Sequence, residues 1–232
     1  MEGLLDAALA DPWATMDRLV DGPLHPGGRE ATERLLDRAG VESGPRVLDV
    51  GCGAGHALEL ARDRGARARG VAPEPGTDRA VRGTATALPV RTDSVDVVLT
   101  ECVLCLTDVE RALAEADRVL TPSGRLALSD IVVAGEAPQI PERAAQVLCL
   151  TGARSRDRLV ASVADAGFRV GSVADHHEDL LAMRDEVASK VDYERLLGLM
   201  GERGRRVQDA IDGVEAAVEE GRIGYVSVVA TR

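Results

Sequence analysis

Ten consecutive residues limit what this chain can fold into more than any others. Arg46-Val47-Leu48-Asp49-Val50 is a β-type run broken by one acid, and Gly51-Cys52-Gly53-Ala54-Gly55 is a glycine-dense turn. His56-Ala57-Leu58-Glu59-Leu60-Ala61 then begins a helical pattern. Strand, glycine turn and helix together allow a backbone to approach the polar groups of a small ligand closely. The spacing is Gly-x-Gly-x-Gly, with His56 where a dinucleotide fingerprint has its last glycine. Asp49, at the end of the strand, repels a pyrophosphate and suits a ligand that carries an ammonium group.

The rest of the chain repeats the alternation that this unit begins. Strand patterns lie near 46–50, 66–71, 79–82, 94–100, 125–133, 167–173 and 224–230, and helical patterns at 29–39, from 56, at 108–120 and at 156–166. Residues 94–100 are almost continuously apolar, as in a strand buried on both faces. Strands alternating with helices of this size predict an α/β fold, a Rossmann-like seven-stranded and mostly parallel sheet with helices on both faces. The expected organisation is a single domain over 1–232, with a helical cap at 1–28, a core at 29–133 and a C-terminal half at 134–232. That half carries a charged helical insertion at 178–221, expected to cap the carboxyl edge of the sheet. Pro12 divides the N-terminal helical pattern, and Pro122-Ser123-Gly124 reads as a turn.

Composition narrows the partners. The formal net charge of −11 argues against nucleic acid or an anionic membrane surface, both of which call for basic patches. Lys190 is the only lysine among 28 basic residues. No apolar stretch approaches the ~20 residues that span a bilayer, and the acids among the first 25 residues are unlike a signal peptide. The four cysteines form no tandem zinc-type pairs, so no metal ligands are assigned and a reduced, cytoplasmic setting is expected. Aromatic residues make up only 2% of the chain, which disfavours stacking recognition of a planar base. A small-molecule substrate is therefore expected, bound by a monomer or homodimer.

Val47–Gly55 resembles the first motif of class I S-adenosylmethionine-dependent methyltransferases. Further stretches resemble that family in its order: Gly83-Thr84-Ala85-Thr86-Ala87-Leu88-Pro89, Ser94-Val95-Asp96-Val97-Val98, Arg118–Leu126 and Asp165-Ala166-Gly167-Phe168. The resemblance implies S-adenosyl-L-methionine as cofactor, with Asp49, Gly51, Cys52, Gly53 and Gly55 around its methionine part and Thr84, Ala85 and Thr86 around adenine. It also places Glu101 and Cys102 beside the sulfonium. Two departures fall on nucleoside contacts. The acid that holds the ribose hydroxyls is replaced by Ala72, leaving Glu74 as the nearest carboxylate, and the adenine-contacting acid is replaced by Thr84. The stretch from Gly76 to Arg79 is also too short for the helix that usually joins the second and third strands.

Glu101 and His25 are the catalytic candidates. Glu101 is placed to hold substrate or accept a proton, although a strand-end acid also serves as a helix cap. His25 lies in the loop Pro23–Gly28, where a base and a solvent-facing histidine are both open readings; His176 and His177 are read as solvent-facing or close to a cap hinge. Glu101–Leu106 and Cys149–Ala153 resemble the cysteine-bearing segments of arsenite methyltransferases, whose thiolates bind a soft metalloid; buried cysteine as a small hydrophobe is the plainer reading. The expected activity is methyl transfer to a small molecule. The alternatives are a methyltransferase-fold binding protein without turnover, and methylation of arsenite or another metalloid.

Overall fold

A computed structural model describes residues 20, 22–190, 197 and 201–232. The expected helices of the N-terminal cap, at 1–19, and parts of the 178–221 insertion lie outside the described residues. The elements are α1 (Gly28–Arg38), β1 (Arg46–Val50), α2 (His56–Asp63), β2 (Arg67–Ala72), β3 (Ala80–Arg82), β4 (Val95–Glu101), α3 (Val109–Val119) and β5 (Leu120–Val133). They continue with α4 (Glu142–Val147), α5 (Arg156–Asp165), β6 (Arg169–Asp175), α6 (His177–Lys190), α7 (Gly201–Glu219) and β7 (Ile223–Thr231). The sheet order is β3-β2-β1-β4-β5-β7-β6, with β7 antiparallel to both of its neighbours. The expected α/β class and seven-stranded, mostly parallel sheet are therefore present.

The strand order reverses between β1 and β4, whose register pairs Asp49 with Leu99 and Val50 with Thr100. Ligands in such sheets bind beyond the carboxyl ends of the strands at this reversal. Two apolar layers flank the sheet. On one face Leu48, Val50, Val98, Leu126 and Leu128 pack with Leu113 and Val119 of α3 and Leu159 of α5. On the other, Val47, Val97 and Leu99 pack with Leu35 and Leu36 of α1 and Leu58 and Ala61 of α2. The alternation of side chains along each strand assigns consecutive residues to opposite layers, so a doubly covered strand reads as unbroken apolar sequence.

Two local features depart from the expected pattern or explain it. The expected turn Pro122–Gly124 is absorbed into β5 as a protrusion: Leu120 pairs with Val95 and Arg125 with Val97, so the residues between them loop out of register. No helix joins β2 to β3, because the chain goes from Ala72 to Ala80 through a bend in which the Gly76 N–H donates to the Gly53 carbonyl at 3.0 Å. The short connection is thus tied to the glycine turn itself.

Leu128 is fully buried between α5 and β7. Leu128→Ala is expected to lower unfolding stability by about 2–5 kcal/mol through lost burial and a residual cavity, measured as a drop in the urea midpoint without a change of slope.

Candidate active site

The glycine turn is open where a ligand would need it to be. Gly51, Gly53 and Gly55 all have positive φ, at 83°, 47° and 92°. A Cβ at Gly51 would lie 2.3 Å from Val103 Cγ2, and one at Gly55 2.9 Å from Thr77 Cγ2, so neighbouring side chains already crowd these two positions. A Cβ at Gly53 would meet nothing within 4 Å. This backbone faces free space. The Cys52 thiol turns away from that space into the core and packs under Gly70, where a Cβ would be 2.4 Å from its sulfur. Burial raises its pKa to about 11.

Asp49 lies beneath the turn, 4% exposed, and its Oδ2 has no hydrogen-bond partner among the described residues. Burial, and then the neighbouring Glu101, hold its carboxyl well above the usual carboxylate range. A buried oxygen without a partner is destabilising unless a ligand satisfies it. An ammonium group supplies both the charge and the hydrogen-bond donors that Asp49 lacks. The residues thus fit the amino-acid end of S-adenosylmethionine. At the nucleoside end, Glu74 is exposed, Thr84 is exposed with its Oγ1 3.3 Å from Thr86 Oγ1, and Ala85 is half-buried.

Glu101 ends β4 on the same face of the sheet as Asp49. The structure joins it to His25, which is buried at 7% exposure and not solvent-facing. Glu101 Oε1 is 3.5 Å from His25 Nε2, and the Thr32 hydroxyl of α1 lies 3.2 and 3.1 Å from the two Glu101 oxygens. Burial raises the Glu101 pKa to about 7 against the opposing Thr32 hydrogen bond. Burial likewise lowers that of His25, opposed by its contact with the Pro26 carbonyl and by Asp179 and Cys149. Tyr225 of β7 stacks near His25 and donates to Ser129 Oγ at 2.7 Å. His176 is also withdrawn from solvent, with Nε2 2.7 Å from Ser227 Oγ and Nδ1 3.7 Å from Asp179 Oδ2, at the junction of β6 and α6 where a hinge was one of the expected readings.

Beside Glu101 the thiols converge. Cys102 Sγ, Cys149 Sγ and a carboxylate oxygen of Asp130 all lie within 4.8 Å of one another. Hydrogen bonds from the Cys102 and Cys105 thiols lower the Cys149 pKa and raise their own, and burial with the Cys149 charge raises that of Asp130 to about 7. Asp130 also accepts the Cys105 N–H at 3.1 Å. Cys102 and Cys149 both sit at positive φ, 54° and 58°, which is sparsely populated for residues other than glycine. Sequence reasoning missed Thr32, Asp130, Ser129 and Tyr225. Only Tyr225, a scarce aromatic in a strand, stood out from the chain, and nothing in the sequence marked it as polar machinery.

Known proteins resemble this chain in sequence and fold. Residues 48–128 match the methyltransferase domain family. The chain is 34% identical over 204 residues to methyltransferase GfsG of Streptomyces halstedii, covering 78% of this chain and 73% of that protein. It is 28% identical to the 27-O-demethylrifamycin SV methyltransferase of Amycolatopsis mediterranei (88% and 84% covered) and 30% identical to an arsenite methyltransferase of Halobacterium salinarum (69% and 45% covered). A solved geranyl diphosphate methyltransferase in complex with S-adenosylmethionine superposes with a TM-score of 0.69 at 21% identity, covering 88% of this chain and 85% of that one. The chain belongs to the class I S-adenosylmethionine-dependent methyltransferases. It is an enzyme of that class.

Asp49→Asn is expected to weaken S-adenosylmethionine binding by about 10- to 100-fold, the loss of one charge-assisted contact, read by calorimetry. Because the folded-state pKa of Asp49 is raised, its contribution to stability is fully present below the unfolded carboxylate range and is lost as pH rises through the folded value. The ligand-free Asp49→Asn protein should therefore melt higher than the parent at neutral pH, with the gap closing near pH ~4. Unchanged affinity would show that Asp49 does not hold the cofactor.

Proposed function

We propose that this methyltransferase methylates a hydroxyl group of a small molecule, with Glu101 as general base and His25 supporting it. The observation that carries this reading is a carboxylate at the end of β4, buried against His25 and Thr32, with its pKa raised to about 7. A hydroxyl acceptor must lose its proton as the methyl group arrives, and a base that titrates near the working pH does this best. The relative named for O-methylation of a rifamycin precursor supports the same choice. Bound S-adenosylmethionine supplies an electrophilic methyl group. Asp49 and the backbone at Gly51, Gly53 and Gly55 hold its methionine part, and Cys102 and Glu101 flank the reacting end. Ala85, Thr84 and Thr86 line the adenine side, with Glu74 reaching the ribose. The protein's work is then to orient the acceptor and exclude water.

The segment 136–152 and the described parts of the 178–221 insertion line the chamber in this reading. Leu180, Leu181 and Val214 of the insertion packing toward Ile131, Tyr225 and Cys149 support that role. The acidic balance and the reduced thiols support a cytoplasmic monomer or homodimer acting on free small molecules and not on nucleic acid. Among the described residues no helix is long and apolar enough to cross a membrane.

A second reading is favoured by the convergence of Cys102, Cys105 and Cys149: a thiophilic metalloid as the methyl acceptor, as the name of the Halobacterium relative implies for that protein. One assay separates the two. S-adenosylhomocysteine release is followed with a panel of small hydroxylated compounds, 27-O-demethylrifamycin SV included, and in parallel with arsenite. Turnover with a hydroxyl compound supports the first reading, and turnover with arsenite alone replaces it.

With a turned-over hydroxyl compound, Glu101→Gln is expected to lower kcat by about 10²–10⁴-fold while leaving cofactor affinity near that of the parent. The kcat/KM profile should rise with pH to a plateau with a midpoint near about 7, because the base acts only after losing its proton. A midpoint near ~4 would mean a solvated carboxylate and a different base.

A further inference from the structure

We propose that Glu101, Thr32 and His25 share a single mobile proton, and that Thr32 is a positioning residue whose hydroxyl passes this proton between the Glu101 carboxylate and His25 Nε2. The proposal rests on the reading of Glu101 as the base.

Counting donors and acceptors leads to it. His25 Nδ1 is 3.1 Å from the Pro26 carbonyl, which only accepts, so Nδ1 carries a hydrogen. The remaining nitrogen, Nε2, faces Thr32 Oγ1 at 3.1 Å. Thr32 has one proton to give. Its oxygen is 3.1 Å from Glu101 Oε2 but 3.4 Å from the Gly28 carbonyl, so the carboxylate is the nearer acceptor. When Glu101 is ionised and receives the Thr32 proton, Nε2 must donate to Thr32, and His25 is an imidazolium. When Glu101 is protonated it donates to Thr32, Thr32 donates to Nε2, and His25 is neutral. These two arrangements differ only by two protons moved along one line, and both leave every group satisfied. Remove that proton and the single hydrogen of Thr32 cannot serve both neighbours. That form is the base.

During methylation the acceptor O–H bond breaks, its oxygen forms the bond to the methyl carbon, and the carbon–sulfur pair returns to sulfur. The released proton forms a bond to a Glu101 oxygen, and Thr32 then takes one proton from Glu101 while giving another to Nε2. No further reactant is needed. The surroundings keep the line in place: Tyr225 lies with its ring centroid 6.4 Å from that of His25, and its hydroxyl, 3.4 Å from Nδ1, spends its own proton on Ser129. The charged and titratable groups facing His25 are Asp179 of α6, Cys149 and Tyr225, and those facing Glu101 are Asp49 of β1, Cys102 and Tyr225.

The titration needs no acceptor molecule. The chain has four histidines, so ¹⁵N-histidine-labelled protein resolves His25 by NMR during a pH titration. In the parent, Nε2 should gain and lose the proton while Nδ1 stays protonated. Glu101→Gln should lower the His25 midpoint by about one unit or more, since a charged partner is lost. In Thr32→Val the midpoint should fall likewise and respond less to Glu101→Gln, leaving only the direct charge contact at 3.5 Å, and Thr32→Ser should restore the parent titration. A Thr32→Val protein that titrates like the parent, or titration at Nδ1 in the parent, overturns the proposal. If Thr32→Val does not fold, the parent's titrating nitrogen and the Thr32→Ser and Glu101→Gln curves still decide. Loss of turnover in Glu101→Gln with no titration coupling would retain the base and sink the relay; coupling without loss of turnover would do the reverse.

Discussion

The arrangement depends on two carboxylates, Asp49 and Glu101, withdrawn from water at the ends of neighbouring strands where the strand order reverses. Each is costly alone, because burial disfavours its ionised form, and Glu101 raises the proton affinity of Asp49 further. The fold resolves the cost differently for each. Glu101 is given partners, a hydroxyl and an imidazole. Asp49 is left with an oxygen unmatched among the described residues. An ammonium-bearing ligand would supply the charge and the donors that this oxygen lacks.

That constraint explains why α1 lies where it does. Its apolar side, Leu35 and Leu36, belongs to the layer that covers β1 and β4, and Thr32, one turn earlier, reaches the end of β4 from the same helix. The positioning of the polar group is thus fixed by burial of its apolar neighbours, which gives a hydroxyl on a helix the precision of the core. His25 gains the same precision from the loop before α1, through Tyr225 and the Pro26 carbonyl.

How much of this was legible depends on range. Strand periodicity and the glycine turn are local properties, so Arg46–Gly55, the seven strands and the open face at Gly53 could be read directly from sequence. The absence of a helix between β2 and β3 was legible too, because Gly76–Arg79 is simply too short. What stayed hidden is non-local. Thr32 and Glu101 are sixty-nine positions apart, and His25 and Tyr225 two hundred. Nothing in a threonine on an amphipathic helix announces which strand end it will meet. The Pro122–Gly124 turn was misread for a related reason: the local signal was correct, but the register of β4 on either side lets β5 continue past it.

The thiols and the carboxylate–histidine pair lie next to one another, and the same burial acts on them in opposite ways. For Glu101 it raises the pKa toward the pH at which a hydroxyl is best deprotonated. For Cys149 the surrounding thiols overcome it and favour the thiolate, which attracts soft electrophiles and not hydroxyl protons. Burial and neighbouring groups thus shift a carboxylate and a thiol in opposite directions within a few side chains of the end of β4.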